Sequence, residues 1–227
     1  MELYDELTRI FADRWFDFRS GGDALEIEEH ESGASVKNIA LIFHGQLLLI
    51  KNEYLKKTND LYRENDNLPE LKHDCDGVLI NETKENKYLI FVELKSEHCE
   101  SNFVKAERQI AASYMRVLSF LSCLRHFNVK DYKICGIIAS KPVTTEKLVK
   151  IKQKKSVKHP LARYERQTLK FAKSSPESFD LCDVFTGLST LPVREELYFA
   201  SLPIFHLDVH GASGRFDLED ITKTLSQ

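Results

Sequence analysis

The sequence predicts an α/β fold, a mixed central sheet flanked by helices, and three stretches carry that expectation. Residues 88–95 (YLIFVELK) form a run of strand length, apolar on both alternating faces up to Val92, as expected of a central strand covered on both sides. Residues 132–139 (YKICGIIA) form a second such run, closed by Ser140-Lys141-Pro142. Between them, Phe103, Ala106, Ile110, Tyr114, Val117 and Leu121 recur at helical spacing, predicting a helix over 102–121 with one apolar face.

The remaining elements follow in order. Leu3, Leu7, Ile10, Phe11 and Trp15 predict an N-terminal helix over 2–15. Ser20-Gly21-Gly22 is a turn, and residues 24–28 read as a short strand. Residues 35–63 are ambiguous: 39–43 has strand character, but Leu47, Leu48, Ile50, Tyr54, Leu55 and Leu61 continue at helical intervals, which favours a long helix. Residues 75–80 read as a strand, 81–86 as a polar turn, and with 88–95 they make a hairpin. Residues 161–173 are expected to be helical, 203–209 a late strand and 218–225 a closing helix. Helix, strand, strand, helix, strand and further helix describe an α/β sandwich.

Bulk properties limit the function classes. The 227 residues are 42% hydrophobic and 30% charged, which is globular composition, and one domain of 1–227 is expected. A formal net charge of −3 does not by itself favour a polyanion binder, although a local basic patch remains compatible with it. Cys75, Cys99, Cys123, Cys135 and Cys182 are scattered, odd in number and without a CxxC pair, which suits a reducing compartment. The N-terminus is acidic and amphipathic rather than a leader, and the apolar run 39–50 is too short to span a bilayer. A cytoplasmic protein without a membrane partner is expected.

The residues that carry chemistry lie on the hairpin. Strand alternation puts Leu89, Phe91, Glu93 and Lys95 on one face, so a carboxylate and an ammonium share the end of a buried strand. Burying them is costly unless something pairs with them. Asp76, opening the neighbouring strand, supplies a second carboxylate at that end. Two carboxylates suit a hard divalent cation such as Mg²⁺, and a lysine beside it can position a water and offset charge developing on a phosphate.

Asp76, then Glu93-Leu94-Lys95 seventeen residues on, then a helix carrying Gln109, resembles the PD-(D/E)xK nuclease superfamily over residues 70–140. The resemblance implies a restriction endonuclease-like αβββαβ core, with the motif region at 36–140 and a basic helical elaboration and closing strand and helix at 141–227. It implies Mg²⁺-dependent endonuclease action on nucleic acid, DNA first, with Mn²⁺ as a substitute. Metal ligation would fall to Asp76, Glu93 and the Leu94 carbonyl, with Lys95 as the catalytic lysine and Gln109 supporting the site. A defence or DNA-processing setting, a protein partner supplying targeting or ATPase activity, and a homodimer are further implications. The alternative is an inactive module of the same fold that binds nucleic acid or a protein. The chain departs from the pattern in having Cys75 where proline is usual. Asp74 shares a strand face with Asp76 and rivals it, and either Glu6 or Glu53 would supply the glutamate that many members add from a first core helix.

Other features carry blander readings. His73, Cys75, His98 and Cys99 flank the hairpin, but their spacing matches no zinc ribbon or finger. The basic stretch 147–173 reads as a solvated face or a phosphate-backbone contact. His206 and His210 read as structural. The sequence contains no GxxxxGK[ST].

Overall fold

The computed structural model describes residues 2–29, 31–58, 71, 73–157, 160–184 and 201–225. The first elements are α1 (Glu2–Ile10), β1 (Phe16–Ser20), β2 (Ala24–Glu28), β3 (Asn38–Ile42), β4 (Gln46–Lys51) and α2 (Asn52–Thr58). The predicted hairpin is β5 (Gly77–Glu82) and β6 (Lys87–Lys95), followed by α3 (Glu100–Leu121) and β7 (Tyr132–Ser140). Then come α4 (Thr145–Ser156), α5 (Arg163–Phe171), β8 (Glu177–Phe179), α6 (Leu181–Val184), β9 (Leu202–Asp208), β10 (Ser213–Asp217) and α7 (Leu218–Thr222).

The expected α/β class, with a mixed sheet flanked by helices, is what the chain adopts. The large sheet has the order β1-β4-β5-β6-β7-β9-β8. Neighbours from β1 to β6 run antiparallel, while β6, β7 and β9 are mutually parallel. The connection from β6 to β7 passes through α3, as a parallel pair requires. One face of this sheet (Leu48, Ile50, Val78, Leu89, Phe91, Ile138) packs with α1, α2, α3 and α5. The other (Leu79, Ile90, Val92, Leu94, Ile137, Phe205) is covered by a second sheet of order β10-β3-β2 and by α7. The alternation read along β6 therefore holds, with Glu93 and Lys95 on the helix-covered face.

The long helix expected within 35–63 does not form over its described part. Its apolar residues belong to β3 and β4, strands of two different sheets, and only α2 is helical; residues 59–63 lie outside the described residues. The break is at Gly45, with φ +84°, where a Cβ would lie 2.3 Å from the Glu82 carbonyl oxygen. This glycine lets one apolar run turn from one layer into the other, which periodicity cannot reveal. β1, β8 and β10 were also not anticipated; they are short and polar, and lie at sheet edges.

Replacing Gly45 tests this junction. Gly45→Ala is expected to cost roughly 2–3 kcal/mol in urea unfolding, combining backbone strain with the carbonyl clash. Gly33→Ala shares the positive φ (+95°) but meets no atom within 4 Å, so its cost should be about 1 kcal/mol. Equal losses at the two positions would contradict the close approach.

Candidate metal centre

Segment 73–76 leads into β5 and is held by one polar stripe of α3. Gln109 Nε2 donates to the Asp74 carbonyl (2.8 Å), and the Cys75 N–H donates to Ser113 Oγ (2.9 Å). Arg116, 2% exposed, donates to the carbonyls of His73 (2.6 Å) and Leu55 (3.1 Å) and forms an ion pair with Asp74. Gln109, Ser113 and Arg116 follow one another at helical intervals of four and three. Asp74 is thereby engaged by Arg116, and it lines the same cleft as Asp76.

Asp76 accepts the Leu94 backbone N–H at Oδ2 (2.7 Å), bridging the start of β5 to the end of β6. Glu93, 1% exposed, forms an ion pair through Oε1 with Lys95, itself 7% exposed. Both carboxylates face one cleft of about 340 Å³ beside α3. Asn52 and Lys56 of α2 line it, as do Lys105 and Gln109 of α3, and the β2–β3 connection adds Glu29 and Glu31. That connection is tied down at the end of β6, where the Ser35 hydroxyl donates to the Ser96 carbonyl (2.7 Å), and over α3, where Lys105 pairs with Glu31 (3.2 Å).

Among the described residues, three oxygens in this cleft are buried without a hydrogen-bond partner: Glu93 Oε2, Gln109 Oε1 and Asn52 Oδ1. Each is an acceptor, and a buried acceptor without a donor is costly. The electrostatics carry the same sign. Burial, then the nearby Glu29, push the Asp76 carboxyl up to about 7, against the Leu94 N–H and Lys95, which lower it. Burial, then Asp76, hold Glu93 well above the usual carboxylate range, with Lys95 opposing. The cleft has an excess of negative oxygen and a deficit of positive charge. Such a donor set fits a hard divalent cation that keeps part of its water shell. Among the described residues, no group of three or more His, Cys, Asp or Glu side chains is assembled to hold a metal. Amide and backbone oxygens and water would have to complete the coordination.

Asp76, Glu93, Lys95 and Gln109, singled out in the sequence, line this one cleft. Glu53 is exposed and lines a shallower neighbouring hollow with Asp76. Glu6 instead accepts the His126 N–H (2.9 Å) beyond the C-terminal end of α3 and does not line the cleft. The α2 residues lining the cleft are Asn52, adjacent to Glu53, and Lys56. Asn52, Glu29, Glu31, Ser113 and Arg116 were missed. The last two had a legible signal, polar residues in helical register with Gln109 on an apolar face; the others are brought in by tertiary packing. Of the flanking His and Cys residues, Cys75 is buried and donates to the Gly77 carbonyl, whereas His98 lies between Thr168 and His206. Cavities of about 420 and 440 Å³ beside α7 contain none of the four predicted residues. No helix among the described residues is long and apolar enough to cross a membrane. Comparison with protein-family profiles, curated proteins and solved structures finds no match.

The raised carboxyls fix a pH dependence. Between about pH 4 and 7 the folded chain keeps protons that the unfolded chain has released, so the Asp76 contribution is present at the acid end and is lost as pH rises. In chelator, the stability of the wild type minus that of Asp76→Asn should fall by roughly 2–4 kcal/mol from pH 4.5 to 7.5. Urea unfolding at intervals across this range measures the difference; a flat or rising profile would remove the assignment.

Proposed function

We propose that this protein is a metal-dependent nuclease that hydrolyses phosphodiester bonds in nucleic acid, DNA first. The observation that carries the reading is Glu93 Oε2, a buried carboxylate oxygen without a donor among the described residues, beside Asp76 and a buried lysine. Such an oxygen is costly to a purely structural ion pair, and a bound cation would meet it.

In this reading β4, β5, β6, α3 and β7 form the βββαβ part of a restriction endonuclease-like core, and the antiparallel order β4-β5-β6 with β7 parallel to β6 supports it. Asp76 and Glu93 would hold Mg²⁺, which Mn²⁺ could replace. Leu94 is a consistent third contributor. Its N–H points to the Asp76 side of β6, and in a strand the carbonyl of the same residue faces the same edge. When bound, the ion supplies Lewis acidity at the phosphoryl oxygen and lowers the pKa of a water.

The side chains divide the remaining work. Glu93 Oε1 holds the Lys95 ammonium at the cleft, where its N–H donors can orient an attacking water and stabilise negative charge developing on phosphorus-bound oxygens. The Gln109 and Asn52 oxygens face the same space and can accept from that water, fixing its direction. Gln109 also spans the site and its support, since its amide nitrogen holds the Asp74 carbonyl.

Purified protein should cut linear and plasmid DNA with Mg²⁺ or Mn²⁺ and stop in EDTA. Lys95→Ala and Asp76→Asn should each lower the rate by roughly 10²-fold or more, with an unchanged far-ultraviolet circular dichroism spectrum. Undiminished cutting by Lys95→Ala would refute the assignment. Binding without turnover under all these conditions would favour the non-catalytic module.

A further inference from the structure

Charge in this chain is segregated by the fold. Residues 145–173 hold ten Lys and Arg against Glu146 and Glu165, in a chain whose formal total is −3. Because β6 and β7 are parallel, their C-terminal ends share one edge of the sheet, and α4 starts a few residues beyond the end of β7. The basic segment therefore begins at the edge where Glu93 and Lys95 lie.

Local bonds fix its position. Lys147 Nζ donates to the His98 carbonyl (3.2 Å), and so does the Tyr164 hydroxyl (2.9 Å). The loop leaving Lys95 is thus joined to both α4 and α5. Glu107 of α3 adds a second tie, accepting from Gln167 (2.7 Å) and pairing with Arg163 (3.0 Å). Between α4 and α5 lies a groove of about 520 Å³, with Lys147, Lys150 and Lys154 along one helical face and Glu100, in the first turn of α3, also lining it. Lys154 pairs with Glu165 (2.5 Å), while exposed Lys150 has no carboxylate partner among the described residues. Glutamates are concentrated around the cleft itself: Glu29 and Glu31 line it with Lys56 and Lys105, and Glu26, Glu28 and Glu53 line the adjoining hollow with Lys51.

We propose that the α4–α5 groove carries a polynucleotide backbone, which leaves the metal centre over α4 and is turned away on the β2 side. The identity of the centre as a nuclease rests on the preceding reading; the groove as a phosphate track does not depend on cleavage. The ligand is recognised through its phosphodiester charge, which single strands and duplexes both supply.

The test is binding in EDTA, read by fluorescence anisotropy with labelled single-stranded and duplex DNA across a salt series. Lys150→Ala/Lys154→Ala removes two exposed cations, and Lys84→Ala/Lys87→Ala removes two around the β5–β6 turn as a control. On at least one DNA form, the groove variant should bind roughly tenfold or more weakly, with a salt slope shallower by about 1.4 on single strands or about 1.8 on duplex. The control should bind as the wild type does. Wild-type affinity and slope in the groove variant, an equal loss in the control, or no binding by the wild type at low salt would each overturn the track. If the variant loses binding but no preparation cuts DNA, the track stands and the nuclease reading falls. If the wild type cuts and the variant cuts long DNA with unchanged kcat/KM, the nuclease reading stands and the track falls.

Discussion

The constraint on which the rest of this structure depends is the burial of Glu93 at the end of an apolar strand. Removing a carboxylate from water costs several kcal/mol unless its oxygens are met. Lys95 meets one of them and nothing described meets the other. Asp76 is brought beside it by accepting the Leu94 N–H, which adds like charge where it is least welcome. A fold maintains such a cluster only if surrounding contacts over-determine it, and concentrated unfavourable charge of this kind is characteristic of sites that bind or react.

Those contacts come from α3. Its apolar stripe packs on β6, while Gln109, Ser113 and Arg116 grip the segment that delivers Asp76. Arg116 is the largest of the three and is almost fully buried, and its pairing with Asp74 gives it an anion as well as two carbonyls. The helix thus engages one of the two aspartates that line the cleft. A short apolar strand and a long helix are enough to explain why the site is rigid on that side. The β2–β3 connection and α2 close the other side, through Ser35, Glu31 and Asn52.

The legible and illegible parts of this structure separate along a physical line. β5, β6, α3 and β7 were readable because their signals are local: strand alternation, one helical face, a polar turn. Asp76, Glu93, Lys95 and Gln109 sit on those elements, so their meeting in one cleft followed from the pattern. The run 39–55 was misread because its apolar residues serve two sheets on either side of Gly45, and hydrophobicity records burial without recording which layer does the burying. Asn52, Glu29 and Glu31 were invisible for the same reason. Nothing within a few residues of them distinguishes a cleft wall from a solvated surface. The three-stranded sheet was missed because β10 comes from the far end of the chain and pairs in parallel with β3.

Net charge is uninformative in a related way. A total of −3 averages over the whole chain, whereas a ligand at the surface responds to charges within a Debye length, about 8 Å at physiological salt. Helix α4 alone carries five lysines against Glu146, whereas Glu26 and Glu28 lie on β2 and Glu29 follows it. Two such walls beside a centre with more carboxylates than lysines would set a direction as well as an affinity. An extended polyanion gains by lying along one wall and loses by crossing to the other. The cation that would neutralise Asp76 and Glu93 would also soften the acidic wall, because Glu29 and Glu31 are among the groups that now raise the Asp76 carboxyl. In the proposed reading, occupancy of the metal centre and approach of the backbone are therefore coupled through the same few carboxylates. That coupling gives a physical reason for the excess acid around the site.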